Sequence, residues 1–204
     1  MGSIRSCLKG NVMIRTCLYA SVLALTILPV LPAHGAASLY TDLYGKSCKT
    51  VEQLPGSGAS TRQCAGVGGF SLLVHEARAQ TSIDIVTPKG AVYPLEYWEV
   101  VTPGLSRVGR MAEWRVEQRN GKLVPTALLV RLDTGNSVLE GPREAAGAII
   151  TAARIASDGA CVVFQGDGAL KTADTMARSA AAESGRRCLG VFTTAGRVRT
   201  ELAN

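Results

Sequence analysis

The sequence predicts an α+β domain, a mostly antiparallel β-sheet with one amphipathic helix near the C-terminus packed on a face and two disulfides. Three observations predict it. Short segments of β character, divided by glycine-, proline- and asparagine-containing turns, fill the chain from about residue 70 to residue 165. The hydrophobic period changes to a helical one only after residue 168. Four cysteines, Cys48, Cys64, Cys161 and Cys188, lie in this part of the chain. Strands first and the main helix last is the α+β arrangement.

The 204-residue chain begins with an export signature. Arg5, Lys9 and Arg15 carry positive charge, no acidic residue occurs before Asp42, and Cys17–Leu31 is almost wholly apolar. Pro32-Ala33-His34-Gly35-Ala36-Ala37 follows, with small residues suited to cleavage between residues 35 and 37. A basic start, an apolar stretch of about 7–15 residues and a small-residue exit define a secretory signal peptide. A membrane anchor needs roughly 17–25 apolar residues, and this run is shorter and interrupted by Pro29 and Pro32. Residues 1–36 are therefore expected to be the signal peptide and residues 37–204 a single secreted domain, in the periplasm or outside the cell, with no stable membrane span. Met13 offers an alternative start with a more compact leader.

Loss of the leader changes the charge. The chain has 22 basic and 16 acidic residues; without Arg5, Lys9 and Arg15 the balance is 19 against 16, a net charge of +3. That is too mild for a nucleic-acid-binding domain. Hydrophobic content of 47% and charged content of 19% suit a folded core.

Segment by segment, Ser38–Leu54 is mixed and ends in the loop Pro55–Ser60. Cys64–Gly69 is read as a tight backbone turn leading into a strand over Phe70–Val74. Thr81–Val86 alternates polar and apolar residues, the period of a half-exposed strand. Strands are also expected over Leu95–Val101, Ala112–Gln118 and Leu123–Leu132. The last two flank Asn120-Gly121, a strong hairpin signal. Glu113 and Arg115 alternate with Trp114 and Val116, so one hairpin face is charged and the other apolar. Gly147–Ile155 and Cys161–Gln165 form a second hairpin around Asp158-Gly159. In Ala169–Ser184 the apolar positions Leu170, Ala173, Met176, Ala177, Ala180 and Ala181 follow helical spacing, with Asp167 as N-cap, Asp174–Arg178 as an i, i+4 pair and Gly185 as the stop. Thr193–Asn204 is polar and expected to fray.

An even number of cysteines in an oxidising compartment reads as disulfides. Three pairings are possible; the local one, Cys48–Cys64 with Cys161–Cys188, is favoured because each bridge then lies within one unit. No C-x-x-C or H-x-x-x-H spacing occurs, so neither a redox pair nor a metal site is expected.

The remaining motifs give no catalytic set. Asp133-Thr134-Gly135 after an apolar strand resembles the catalytic turn of aspartic proteases, where two carboxylates share a proton. Asn136 stands where Ala or Ser is usual, and no second such turn exists, so only a dimer could complete the pair. Turn preference alone explains these residues. After processing His75 is the one histidine, read as an exposed or satisfied strand residue, and no G-x-S-x-G elbow is present. Gly166-Asp167-Gly168 could place backbone N–H groups at a helix start, but Asp167 would repel an anion. Glu96 with Glu99 and Glu113 with Glu117 are carboxylate pairs supported by nothing beyond their presence. Tyr93, Tyr97, Trp98 and Trp114 suit a binding patch beside Arg115 and Arg119, or, more in keeping with large aromatics, the core.

Cys64-Ala65-Gly66, Gly68-Gly69-Phe70, Ala112-Glu113-Trp114-Arg115, Pro125–Arg131, Gly159–Val163, Ala173-Asp174 and Ala177-Arg178 together resemble a group of exported alphaproteobacterial proteins to which no activity is assigned. The resemblance covers most of the chain after the leader. It implies a periplasmic protein and carries over no catalytic residue, cofactor or metal. The expected function is binding of an envelope protein or a small ligand without catalysis, with a dimeric aspartic-protease-like hydrolase at Asp133 as the alternative.

Overall fold

The computed structural model describes residues 36–135 and 147–190. Residues 1–35 of the expected leader, Asn136 and the tail Thr193–Asn204 lie outside the described residues.

The strands are β1 (Ala37–Asp42), β2 (Cys48–Leu54), β3 (Ala59–Ala65), β4 (Ser71–Ala77), β5 (Gln80–Val86), β6 (Val92–Pro94), β7 (Ser106–Arg119), β8 (Lys122–Thr134), β9 (Gly147–Ile155) and β10 (Ala160–Asp167). Two helices interrupt them, α1 (Tyr97–Val100) and α2 (Ala173–Ala182). Every strand pair is antiparallel. The fold class is the one predicted, and the strands divide into two five-stranded sheets. Sheet A has the order β1-β7-β8-β9-β10 and sheet B the order β2-β3-β4-β5-β6.

The main core lies between them. Leu72, Val74, Ile83 and Ile85 of sheet B join Trp114, Val116, Leu128, Val130 and Leu132 of sheet A in one buried cluster. The predicted alternation on β7 is borne out, with Trp114 and Val116 facing this core. Trp114 is fully buried, donates from Nε1 to Thr41 Oγ1 at 2.9 Å and meets Phe70 edge-on. Gly66 is required beneath it, since a Cβ there would stand 2.6 Å from the Trp114 ring and 2.8 Å from the Phe70 carbonyl oxygen.

A second, smaller core forms on the other face of sheet A. Ala127, Leu129, Ile150 and Ala152 meet Ala173 and Ala177 of α2, whose small side chains allow close approach. The favoured disulfides are present: Cys48 and Cys64 face each other across β2–β3, and Cys161 on β10 is tied to Cys188 beyond α2.

Several local readings are corrected. Leu95–Val101 is not a strand but contains α1, because Glu96 turns the chain in a left-handed conformation (φ 43°). Strands β2 and β3 replace the mixed segment and loop read there. Helix α2 starts at Ala173 rather than Ala169: the Asp167 carboxylate accepts from the Ala169 N–H at 2.8 Å in a local turn, so it caps no helix, and Thr172 holds the N-cap position. Leu170 and Met176, expected on the apolar face, are exposed. The Asp174–Arg178 pair does not form, because each side chain reaches across to sheet A instead.

Candidate functional site

A groove of about 480 Å³ lies on the outer face of sheet A beside α2. Its position follows from strand alternation: the residues between the core-facing ones on β7 and β8 point away from sheet B, and α2 covers only the part of that face formed by β8, β9 and β10. Leu129 and Ile150 form the floor, and Tyr40 and Met111, both about half exposed, form an apolar wall.

Most of the charged side chains of the groove are held in ion pairs. Arg178 of α2 donates from Nε and Nη2 to the two oxygens of Glu113, each at 2.8 Å. Ser38 donates to the same carboxylate at 2.6 Å. Glu113 is 8% exposed. Burial pushes its carboxyl upward, but Arg178, Ser38 and Arg115 outweigh that and hold it below the usual glutamate range. Arg131 donates to Asp174 at 2.9 Å and also to the Gly168 carbonyl oxygen. Arg110 pairs with Asp42 at 2.7 Å. A fork-shaped guanidinium matched to a carboxylate fixes both partners in orientation. Glu113 is therefore a locked anion and a poor proton donor or acceptor.

Asp133 also lines this groove. It is exposed at the end of β8, and among the described residues its carboxylate has no hydrogen bond or ion pair. Thr134 Oγ1 donates to the Gly147 carbonyl oxygen at 2.9 Å, so the Asp-Thr-Gly turn ties β8 to β9. No second carboxylate is hydrogen-bonded to Asp133 among the described residues.

A second polar cluster lies in sheet B. His75 Nε2 stands 2.9 Å from Asp84 Oδ2 and Nδ1 stands 3.2 Å from Thr61 Oγ1. The Asp84 hydrogen bond raises the imidazole pKa above its ordinary value, with burial opposing and Asp84, Glu96 and Glu52 adding to the rise. Glu96 is itself pushed up, first by burial and then by Asp84. The adjoining cavity, about 190 Å³, is lined by Glu52, Leu54, Thr61, His75 and Trp98 among others. Thr61, His75 and Asp84 follow the order of a nucleophile, base and orienting acid, but Thr61 is 8% exposed and its hydroxyl also lies 3.3 Å from Glu52. His75 thus has partners at both nitrogens, as its reading as a satisfied strand residue expects.

Other candidates separate. Trp114 and Tyr97 are fully buried, so the aromatic group is chiefly core, and Trp98 lines a cavity. Glu117 pairs with Arg119 rather than with Glu113. The Gly166–Gly168 turn does not adjoin α2, and its Gly168 N–H donates to Ala148. Among the described residues no group of three or more His, Cys, Asp or Glu side chains could hold a metal, and no helix is long and apolar enough to cross a membrane.

Sequence reasoning named Asp133 and Glu113 as candidates, read Asp174 and Arg178 only as a pair within the helix, and gave Arg131 no role. The available signal was geometric: Arg131 lies between core-facing Val130 and Leu132, and residues 174 and 178 share one side of α2. Compared with protein-family models, curated proteins and solved structures, the chain matches none.

Proposed function

We propose that this chain is an exported binding protein, periplasmic or secreted, that holds an extended segment of an envelope protein in the outer groove of sheet A without acting on it chemically. The observation that carries this reading is the groove's apolar floor flanked by two guanidinium–carboxylate pairs, Arg178 with Glu113 and Arg131 with Asp174. Three arginines face three acidic residues there, so the lining is balanced and favours a ligand of no strong net charge. Rigid ion pairs flanking exposed Tyr40 and Met111 suit recognition of apolar side chains on a polypeptide. Tyr40 belongs to β1, an edge strand of sheet A, which offers backbone groups to an incoming strand. Export is supported by the leader, by the two disulfides, and by the start of β1 at Ala37, where the expected cleavage window ends.

The test is selection of peptides from a random display library on the purified, oxidised protein, followed by affinity measurements. Met111→Glu is expected to weaken the selected peptides at least tenfold with an unchanged melting temperature. Equal affinity for Met111→Glu and the parent would remove the groove from the reading.

One observation favours a second reading. Asp133, exposed and unpaired among the described residues, is placed to meet its counterpart in a second copy, as a dimeric aspartic-protease-like hydrolase requires. Peptide cleavage lost in Asp133→Ala and confined to a dimer would support it; a monomer, or cleavage unchanged by that substitution, would end it.

A further inference from the structure

A separate cavity of about 290 Å³ sits at the β4–β5 hairpin and shares no lining residue with the groove. Arg62, Arg78 and Arg107 line it, with Glu76 as the one acidic residue. Arg62 is anchored: its guanidinium lies 4.4 Å above the Tyr44 ring and donates to Glu76 at 2.8 Å. Its Nε is buried and has no hydrogen-bond partner among the described residues. A buried donor left unmatched is unfavourable and is uncommon in a finished structure. Arg78 and Arg107 are exposed and form no ion pair or side-chain hydrogen bond among the described residues. The other polar groups in the lining are occupied: Tyr44 donates to Val108, Gln80 to Pro103 and Thr81 to Ser106.

The hairpin turn that presents Arg78 is also unusual. Arg78 and Ala79 both have positive φ, 49° and 65°, where glycine or asparagine is the unstrained choice. Arginine is thus kept at a position that local backbone energetics disfavour, and strain of this kind concentrates at functional sites.

The geometry points to an oxyanion-binding site for a doubly charged phosphate or sulfate group, free or as a monoester, held by Arg62, Arg78 and Arg107. Three guanidiniums against one carboxylate leave two positive charges for the ligand. Their planar donor sets match the oxygens of such a group. Tyr44 holds Arg62 in place by stacking on it, which lowers the ordering needed on binding.

The test is calorimetric titration of the full, oxidised protein with inorganic phosphate, inorganic sulfate and glycerol phosphate. Saturable binding of phosphate and sulfate would mark a site for the free ion, and binding of glycerol phosphate alone a site for the monoester; either supports the inference. Arg78→Asn keeps a residue suited to positive φ while removing the guanidinium, and is expected to weaken binding about tenfold or more, as is Arg107→Gln. Glu76→Gln is expected to strengthen it several-fold. Arg119→Gln, remote from the cavity lining, leaves it unchanged, and melting curves establish that each variant is folded. Absence of saturable binding for every probe at millimolar concentration, or binding indifferent to both Arg78→Asn and Arg107→Gln, overturns the assignment.

Discussion

Sheet A and sheet B each contain a two-residue hairpin turn, a disulfide and partly buried charged pairs, and the two sheets build these parts differently. In sheet A the turn is Asn120-Gly121, with φ of 50° and 74°, residue types that favour this conformation. In sheet B the corresponding turn is Arg78-Ala79, with nearly the same angles and residue types that resist them. The charged pair of sheet A, Glu113 with Arg178, is a fork-to-fork contact across to α2. In sheet B one such pair, His75 with Asp84, is a single contact between neighbouring strands. Local preference and fold agree in sheet A; in sheet B they conflict at the place where three arginines line one cavity. Agreement across levels marks scaffold, and conflict marks the candidate for function.

The disulfides should give the largest effects. The bridge in sheet A spans 27 residues and that in sheet B spans 16. In the loop-entropy description their removal costs about 3.5 and about 3 kcal/mol respectively. Denaturant unfolding of Cys161→Ser/Cys188→Ser and Cys48→Ser/Cys64→Ser should therefore show two substantial losses of similar size. A negligible loss for Cys48–Cys64 would mean that the β2–β3 ladder needs no covalent closure, and the two sheets would then differ in more than their turns and charges.

Exchanging the turns sharpens the comparison at intermediate size. Replacing Arg78-Ala79 with Asn-Gly should stabilise the protein by about 1–2 kcal/mol, and placing Arg-Ala at residues 120–121 should destabilise it by about the same amount. Both are read from thermal or denaturant unfolding. If the first exchange left stability unchanged, the Arg78-Ala79 turn would be unstrained and would lose its standing as a place where function overrides local preference.

The same contrast explains what could be read from the amino acids. Asn120-Gly121 announced its hairpin, and β9 matched its expected bounds because Gly147–Ile155 is apolar, β-branched and closed by turn residues. Strand β2 was illegible: Lys49, Thr50, Val51, Glu52, Gln53 and Leu54 are all exposed, so no buried face imposes a period of two. The Arg78-Ala79 turn was illegible for the opposite reason, since its residues contradict its geometry. In the groove, Glu113 and Asp133 were visible as residue types. Their surroundings were not, because the Glu113–Arg178 pair joins positions 65 residues apart and exists only once α2 docks on sheet A.

The smallest expected effect is in pH dependence, where the two charged pairs should act with opposite sign. The folded-state pKa of His75 is raised above 6.5, so its contribution is complete below that value and is lost as pH rises through the folded pKa. Glu113 has a folded-state pKa below 4.5, so its contribution is present above 4.5 and is lost as pH falls through the folded value. Stability measured from about pH 3 to pH 8 should thus rise out of acid and then decline slightly on the alkaline side of the histidine transition. Glu113→Gln should flatten the acid limb and leave the other intact, whereas His75→Gln should remove only the shallow alkaline decline, worth less than about 1 kcal/mol for one partly exposed pair. A His75→Gln protein that kept the alkaline decline would show that the His75–Asp84 contact contributes nothing to holding β4 against β5, and that the backbone ladder between those strands is sufficient alone.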